Sequence, residues 1–329
     1  MSFEVITFGE AMIRLSPPNF QRLEQAHTLD VYIGGAELNV AVALSRLGRK
    51  ASYVTRLTNN PLGRMIANRA RELGVATDHV VWTSGDRVGV YFLEFGAAPR
   101  SSSVVYDRAD SAISRIEPGM VDWKKVFAGA KAYHTSGITP ALSPSAAETT
   151  RESMKAAGEA GVKVSVDLNY RAKLWSEAEA NRWMTQFMQY TNYLITTEED
   201  TKRVFGIEGS SYEAVAEELA KKFNLDAVAI TLRENPRVWI NSWTAIACVE
   251  GEILRTHTYE VEIVDRLGAG DSFAAGFLHG VLDGDLQKGV DYGVALSALK
   301  HTFPGDLNWS TLAEVEALVQ GGGGLRISR

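Results

Sequence analysis

Apolar residues along the chain change their spacing partway, and the change predicts how the chain is organised. From about residue 131 onward, short apolar runs of strand length alternate with longer segments whose apolar residues recur at helical spacing. Alternation of this kind is typical of a parallel β-sheet covered by helices. The predicted elements of this region are strands at Ala132–Thr135, Lys163–Leu168, Tyr193–Ile195, Ala227–Leu232, Arg237–Ile240 and Ala245–Val249, and helices at Ser143–Ala160, Glu177–Tyr190, Glu198–Phe205, Tyr212–Phe223, Ser272–Leu282, Gln287–His301 and Thr311–Gln320.

The first third of the chain contains extended segments that no helix separates. Strand-like runs cover Val88–Phe95 and Ser103–Tyr106, so we expect them to pair antiparallel. With the early strands, they predict a small second sheet formed by segments at about 12–33 and 88–108. The apolar residues expected on one face of that sheet, which would need cover, are Val90, Phe92 and Val104. A homodimer through the small sheet is therefore expected.

Composition limits the class of protein. The chain has 329 residues, 45% hydrophobic and 22% charged, with no domain-sized linker, so we expect a single domain over residues 1–329. The formal net charge of −6 argues against a nucleic-acid-binding protein, which normally carries a basic face. The single cysteine, Cys248, excludes an intrachain disulfide. No signal peptide and no membrane-spanning apolar run is found, so a cytoplasmic location is expected.

The most distinctive chemistry lies in residues 264–276, which read V-D-R-L-G-A-G-D-S-F-A-A-G. Gly268 and Gly270 permit a tight turn, and the small and apolar residues after Asp271 predict a helix. A helix N-terminus favours anions such as phosphate, because it offers free N–H groups and a partial positive charge. An acid beside such a site is a potential proton acceptor, and the combination suits phosphoryl transfer. On these residues alone, an ordinary loop-to-helix junction with an acidic cap remains the alternative.

Polar side chains also follow other predicted strands. They occur at Asp167–Arg171, Thr196–Asp200 and Thr231–Asn235. In open α/β sheets, ligands bind at the carboxyl ends of the strands. Together with the G-A-G-D stretch after the last strand, these four strand ends predict a nucleotide-sized cleft.

Two motifs resemble the ribokinase/PfkB family of sugar kinases. Residues 34–48 read G-G-A-E-L-N-V-A-V-A-L-S-R-L-G, and residues 265–276 read D-R-L-G-A-G-D-S-F-A-A-G. The pair is highly specific, and the resemblance covers nearly the whole chain. It implies a three-layer α/β/α domain with a mainly parallel sheet, and a small β-sheet lid that closes over the sugar. It also implies ATP as phosphoryl donor and Mg²⁺ as the accompanying ion.

The same resemblance implies roles for individual residues. Asp271 would be the general base that takes the proton from the sugar hydroxyl. Gly34 and Gly35 would let a helix N-terminus approach the sugar, or would serve helix entry alone. Asn39 would bond a sugar hydroxyl or cap a turn. The backbone amides implied to form the anion hole are those of Gly268, Ala269 and Gly270, and the residues implied on the nucleotide side, with Gly268 and Gly270, are Asn169, Thr231 and Arg233.

Within the family, the sequence is most similar to the 2-keto-3-deoxygluconate kinases. Arg108 and Arg171 suit the carboxylate of a sugar acid, because a guanidinium forms forked, charge-assisted hydrogen bonds. Tyr91 and Tyr106 could line the sugar and bond its hydroxyls. For each arginine, a surface position or a structural ion pair is the alternative. The similarity is carried by Tyr91, Y-D-R at 106–108, D-L-N-Y-R at 167–171, T-L-R-E at 231–234 and K-H-T-F-P-G-D at 300–306.

One departure from the family concerns Mg²⁺. Many relatives carry N-x-x-E after the strand that corresponds to Tyr193–Ile195, whereas residues 197–200 here read T-E-E-D. Hard oxygen ligands for Mg²⁺ remain available. Asp200 is the predicted metal ligand.

The sequence therefore favours ATP-dependent phosphorylation of the terminal hydroxyl of 2-keto-3-deoxygluconate to its 6-phosphate. The expected partners are the sugar acid and ATP, without nucleic acid or membrane. One alternative is a kinase for another sugar, either fructose or another keto sugar acid. A second is a non-catalytic sugar- or nucleotide-binding sensor, for which the altered Mg²⁺ motif is the support. The sequence leaves the configuration at C4 of the sugar acid open.

Overall fold

The computed structural model describes residues 2–237 and 240–321, without the side chains of residues 233–237 and 241. The strands in this part of the chain are β1 (Val5–Phe8), β2 (Met12–Ser16), β3 (Asp30–Gly34), β4 (Ala51–Val54), β5 (Arg56–Thr58), β6 (Val81–Thr83), β7 (Gly89–Glu94), β8 (Ser103–Asp107), β9 (Ala132–Ser136), β10 (Lys163–Asp167), β11 (Tyr193–Thr196), β12 (Ala227–Arg237), β13 (Ile240–Val249), β14 (Glu252–Arg255) and β15 (Tyr259–Glu262). The α-helices are α1 (Ala36–Arg46), α2 (Pro61–Glu72), α3 (Trp123–Val126), α4 (Pro144–Glu159), α5 (Glu177–Met188), α6 (Glu198–Phe205), α7 (Tyr212–Phe223), α8 (Ala269–Asp283), α9 (Leu286–Lys300) and α10 (Leu312–Val319).

Within the described residues, the main sheet has nine strands. Eight follow the order β4-β1-β9-β10-β11-β12-β13-β14, and β15 pairs with β13. The first six strands in this order are parallel, and they are β4, β1, β9, β10, β11 and β12. The strands β13, β14 and β15 pair antiparallel. The carboxyl ends of the parallel strands therefore meet at one edge, where ligands bind in sheets of this kind.

Helices cover both faces of the main sheet. One hydrophobic core joins it to α1, α2, α8, α9 and α10, and a second core joins it to α3 through α7. This confirms the predicted three-layer α/β/α architecture. Cys248 is buried in the second core, as its apolar neighbours suggested. None of the described helices is both long and apolar enough to cross a bilayer.

The helix N-termini differ in a way that bears on the site. Eight of the ten described α-helices begin at a side-chain cap, such as Ser143 before α4 or Ser176 before α5. The other two, α1 and α8, begin at Gly35 and Gly268 without a side-chain cap. First-turn N–H groups without an intrahelical partner need another acceptor. A ligand between these two helices could supply it.

In the part of the chain that the structure describes, the small sheet consists of four strands in the order β3-β2-β7-β8. Its register places Phe92 opposite Val105, and Leu93 opposite Val104. Successive side chains of a strand point to opposite faces, so Val104 lies on the face of Tyr91 and not with Phe92. The prediction that Val104 shares a face with Val90 and Phe92 is therefore wrong, and Val105 takes that place.

The strand predicted at Arg237–Ile240 falls partly outside the described residues, which do not include residues 238 and 239. Arg237 ends β12 and Ile240 begins β13, so its two ends belong to different strands, which pair antiparallel. The partner β11 reaches only to Ile230 of β12, and beyond that residue β12 continues on β13 alone. The sequence pattern missed this extension because its residues, from Arg233 onward, are largely polar. It also missed the short strands β5, β6, β14 and β15.

Candidate active site

The glycine-rich turn between β15 and α8 forms a ready anion site. Gly268 has φ +82° and precedes α8 directly, so Ala269, Gly270 and Asp271 lie in the first helical turn. The helix thus begins three residues earlier than the pattern predicted. A Cβ on Gly268 would lie 2.0 Å from the carbonyl oxygen of Asp306, so only glycine fits there. We call residues 265–270 the anion loop.

Backbone amides of the anion loop are not all equally available. The Ala269 N–H donates to the carbonyl oxygen of Arg266 at 3.3 Å, within the turn itself. Apart from its chain neighbours and the backbone of its own helix, no atom of the described residues would lie within 4 Å of a Cβ on Gly270. Gly270 therefore borders open space, where an anion can approach the helix N-terminus.

Asp265 fixes the shape of the anion loop. Its Oδ1 accepts a hydrogen bond from the Leu267 N–H at 3.0 Å, and its Oδ2 accepts one from the Gly305 N–H at 2.9 Å. One buried carboxylate thus joins the loop before α8 to the loop that follows α9. The sequence reading had assigned Asp265 no role.

Asp271 is held by α1. The Asn39 side-chain amide donates to Asp271 Oδ2 at 2.6 Å, and Asn39 Oδ1 accepts from the Gly35 N–H at 3.3 Å. Burial raises the pKa of Asp271 to about 6, and the Asn39 hydrogen bond opposes that rise. A carboxylate with this pKa is ionised at pH 7 and more basic than a free aspartate, which suits a general base. Asn39 thus orients Asp271 and accepts a hydrogen bond from the residue that precedes α1.

Two cavities meet at the anion loop. The larger has a volume of about 430 Å³ and opens along the carboxyl ends of the parallel strands. The smaller, of about 110 Å³, lies under the small sheet. A ligand in one cavity would touch a ligand in the other at the wall that both share, which is formed by Asn169, Arg171, Leu267, Gly268 and Asp271.

The larger cavity collects the residues predicted for the nucleotide side. Asn169, Thr231 and Asp200 line it together with Gly268 and Gly270. The side chain of Arg233 lies outside the described residues. Residues of this cavity that were given no role from the sequence include Arg203, Trp243 and His301.

The smaller cavity collects most of the predicted sugar-side residues. Gly34 instead packs beside it, because a Cβ there would lie 2.3 Å from Oδ1 of Asp306. A Cβ on Gly35 would lie 2.1 Å from the Glu10 carbonyl oxygen, so both glycines are required by close packing. The predicted residues that line the cavity are Gly35, Asn39, Tyr91, Tyr106, Arg108, Arg171 and Asp271.

The two predicted carboxylate-binding arginines have different surroundings. Arg108 forms an ion pair with the buried Glu10 carboxylate, so the structural alternative applies to it even though it lines the cavity. Arg171 is exposed, and its Nη1 donates to the Tyr170 carbonyl oxygen at 3.3 Å. Its charge lowers the pKa of Asp271 against the effect of burial. Arg171 therefore stands between the two cavities as an accessible cation.

Acidic groups of the larger cavity fit Mg²⁺. Burial raises the pKa of Asp167 and of Asp200, and a cation beside them would favour their ionised forms. Mg²⁺ is commonly bound by one or two carboxylates together with water and phosphate oxygens. No group of three acidic, histidine or cysteine residues in the described part of the chain could hold a metal ion alone. An ion here would depend on phosphate and water for its remaining ligands.

Three buried charged residues near the site were not predicted. Asp306 lines the smaller cavity and accepts a hydrogen bond from Tyr91. Arg14 is fully buried against Asp306. Burial raises the pKa of Glu37 to about 7, and its Oε1 accepts hydrogen bonds from Ser136. Glu37 and Asp306 lie inside motifs that carry the family resemblance, although no role was assigned to either, whereas Arg14 lies outside those motifs.

An anion loop, a buried carboxylate and two adjoining cavities define the site of a phosphotransferase. A family model described as "pfkB family carbohydrate kinase" matches residues 2–311. The chain belongs to this family, and it is a carbohydrate kinase.

Individual relatives agree with this assignment. The chain is 40% identical over 325 residues to the 2-dehydro-3-deoxygalactonokinase of Haloferax volcanii, covering 98% of each chain. It is 45% identical to the crystal structure of 2-dehydro-3-deoxygluconokinase from Thermotoga maritima, with a TM-score of 0.94 over 97% of this chain and 100% of that one. A fructokinase from Xylella fastidiosa with bound ATP shares the fold at 24% identity, with a TM-score of 0.81 over 98% of this chain and 100% of that one.

Proposed function

We propose that the protein phosphorylates the terminal hydroxyl of 2-keto-3-deoxygluconate (2-dehydro-3-deoxygluconate) with ATP, giving the 6-phosphate and ADP. The observation that carries the proposal is the smaller cavity, in which the accessible cation Arg171, the Glu10-paired Arg108 and Asp271 converge beside the anion loop. A sugar acid has both groups that this cavity would recognise, a carboxylate and a primary hydroxyl. The names of the Haloferax and Thermotoga relatives support the same substrate class.

In this proposal Asp271 is the general base. Asn39 holds Oδ2 of the carboxylate, so we assign Oδ1 to the proton of the sugar hydroxyl. The hydroxyl oxygen then attacks the γ-phosphorus as its proton moves to Asp271, and ADP leaves on the opposite side. The free N–H groups at the start of α8, including those of Gly268 and Gly270, would stabilise the charge of the transferring phosphoryl group.

The larger cavity would bind ATP. Asn169, Thr231 and Arg233 are the residues we assign to the nucleotide, and Asp200, with Asp167 nearby, to Mg²⁺. Bound Mg²⁺ would neutralise phosphate charge. The accessible cation Arg171 faces both cavities, so it could meet either the sugar carboxylate or a phosphate oxygen.

The C4 epimer, 2-keto-3-deoxygalactonate, is the second candidate substrate, because the 40% identical relative is named for it. We expect Mg²⁺-ATP turnover with either keto-deoxy acid to exceed that with the neutral sugars fructose and ribose by about 10- to 100-fold in kcat/KM. A carboxylate left without an arginine, or an arginine without its carboxylate, loses a charge-assisted pair of roughly 1.5–3 kcal/mol. ADP release measured across this panel tests the proposal. Preference for fructose would contradict the sugar-acid assignment, and binding without ADP release would favour a sensor.

We also propose a cytoplasmic homodimer that pairs through the small sheet, which would act as a lid over the sugar. The outer face of the sheet carries Leu15, Val31, Phe92 and Val105, and Val31 and Val105 are about half exposed. An apolar face of this kind is costly to leave in water. Sedimentation should therefore show a dimer in the wild-type protein and a monomer after Val105→Asp. A wild-type monomer would remove the proposal.

A further inference from the structure

Arg14 is a buried cation at the centre of the small sheet. It lies on β2 and its side chain has no exposed surface, yet it contacts both loops beside the anion site. Its Nη1 lies 2.7 Å from Asp265 Oδ2 and 2.8 Å from Asp306 Oδ2, and its Nε donates to Ser16 Oγ at 2.9 Å. Burial opposes the charge of Arg14, but the two aspartates more than offset this and raise its pKa.

Each aspartate that Arg14 contacts shapes one part of the site. Asp265 accepts hydrogen bonds from Leu267 and Gly305, which sets the anion loop. Asp306 lines the smaller cavity, and its carbonyl oxygen packs where a Cβ of Gly268 would lie. One guanidinium therefore contacts both the aspartate that shapes the anion loop and the aspartate that lines the smaller cavity.

The small sheet holds Arg14 from its own side. Tyr91 lies opposite Arg14 on β7 and donates to the same aspartate, Asp306. The Arg14 guanidinium carbon lies 4.8 Å from the Tyr32 ring centroid and 5.3 Å from that of Phe95. Rings at these distances attract a cation. A displacement of the sheet would consequently move Arg14 with respect to the two loops.

We propose that Arg14 is a positioning residue that couples sugar binding under the small sheet to the geometry of the anion loop. It contacts neither the phosphoryl group nor Asp271, and it acts through Asp265 and Asp306. The inference rests on the proposed function, since it takes the smaller cavity as the sugar site. Coupling of this kind is reciprocal, so bound sugar should tighten nucleotide binding.

Arg14→Lys tests the proposal, because lysine keeps the charge but lacks the planar fork. We expect at least a tenfold higher KM for the sugar acid and a tenfold lower kcat. Arg56→Lys is the matched control. Arg56 pairs with Asp86 at 2.8 Å, is nearly buried, and lines neither cavity. It should lower Tm while leaving kcat and KM unchanged. Equal kinetic losses in both variants would assign the effect to general destabilisation and overturn the proposal.

Binding without turnover gives the decisive readout. In the wild-type protein, the keto-deoxy acid should tighten a non-hydrolysable ATP analogue at least fivefold by calorimetry, and in Arg14→Lys less than twofold. An unchanged factor in the variant, or no tightening in the wild type, would overturn the proposal. If Arg14→Lys does not fold, Asp265→Asn should weaken the coupling in the same direction, and an unchanged factor there would overturn it too. Failure of the proposed function is separate, since a wild-type enzyme inactive on both keto-deoxy acids would show it.

Discussion

Asp271→Asn is expected to lower kcat by about 10²- to 10⁴-fold, the range that general-base catalysis contributes. Asparagine has the same shape, and its oxygen can still accept the hydrogen bond that Asn39 donates to Asp271 in the wild-type protein. It cannot take a proton from the sugar hydroxyl. Both substrates should therefore bind nearly as well as they bind to the wild-type protein. ADP release measures the loss, and calorimetry with each substrate measures the binding.

The pH dependence of kcat/KM tests whether the loss of turnover in Asp271→Asn comes from the loss of a general base. Burial raises the pKa of Asp271 to about 6, and only the ionised carboxylate is a base, so wild-type kcat/KM should fall as pH drops through about 6. Asn39→Ala removes a hydrogen bond that favours the ionised form, so the acidic limb should move to higher pH. A hydrogen bond to a charged group contributes roughly 1.5–3 kcal/mol, which corresponds to about one or two pH units. Near-normal turnover in Asp271→Asn, or an unmoved limb in Asn39→Ala, would remove Asp271 from the role of base.

The architecture could be predicted because it depends on local periodicity. Strand and helix patterns repeat along residues 131–320, and each repeat is a separate local signal. Errors arose where pairing over distance decides. Val104 was assigned to the wrong face because alternation shows which residues of one strand share a face, but not how that strand is aligned with its neighbour. The polar end of β12 was missed because only its partner β13 extends it.

The residues of the site also differ in whether the local sequence could predict them. The anion loop and Asp271 lie in one short motif, so their juxtaposition could be inferred from neighbouring letters. Arg14 and Asp306 lie 292 residues apart, and nothing local to either shows that they pair. Arg108 shows the converse, because its residue type suggested a carboxylate ligand while the fold also supplies the partner Glu10. Side-chain chemistry can be read from a sequence, but the identity of a distant partner cannot.

Gly268→Ala is expected to lose at least 100-fold in kcat and to be less stable than the wild type. The added methyl group would lie 2.0 Å from the Asp306 carbonyl oxygen, a backbone atom that cannot rotate away. Either the anion loop or the loop that carries Asp306 must shift. Loss of one preorganised donor in an anion hole costs about 10²- to 10³-fold in kcat. Steady-state kinetics and denaturant unfolding measure the two effects.

Gly284→Ala, at the other end of the same helix, separates backbone strain from steric contact. Gly284 has φ +73°, close to the φ of +82° at Gly268, but a Cβ there would meet none of the described residues beyond its chain neighbours within 4 Å. Its substitution should cost only the strain of placing alanine in the left-handed conformation, roughly 1–2 kcal/mol in the free energy of unfolding. The kcat of this variant should be unchanged. The additional loss in Gly268→Ala then measures the contact with Asp306, for which overpacking predicts roughly 1–3 kcal/mol more. Equal stability of the two variants, with full activity in both, would show that the close approach of Asp306 to the anion loop is not required for catalysis.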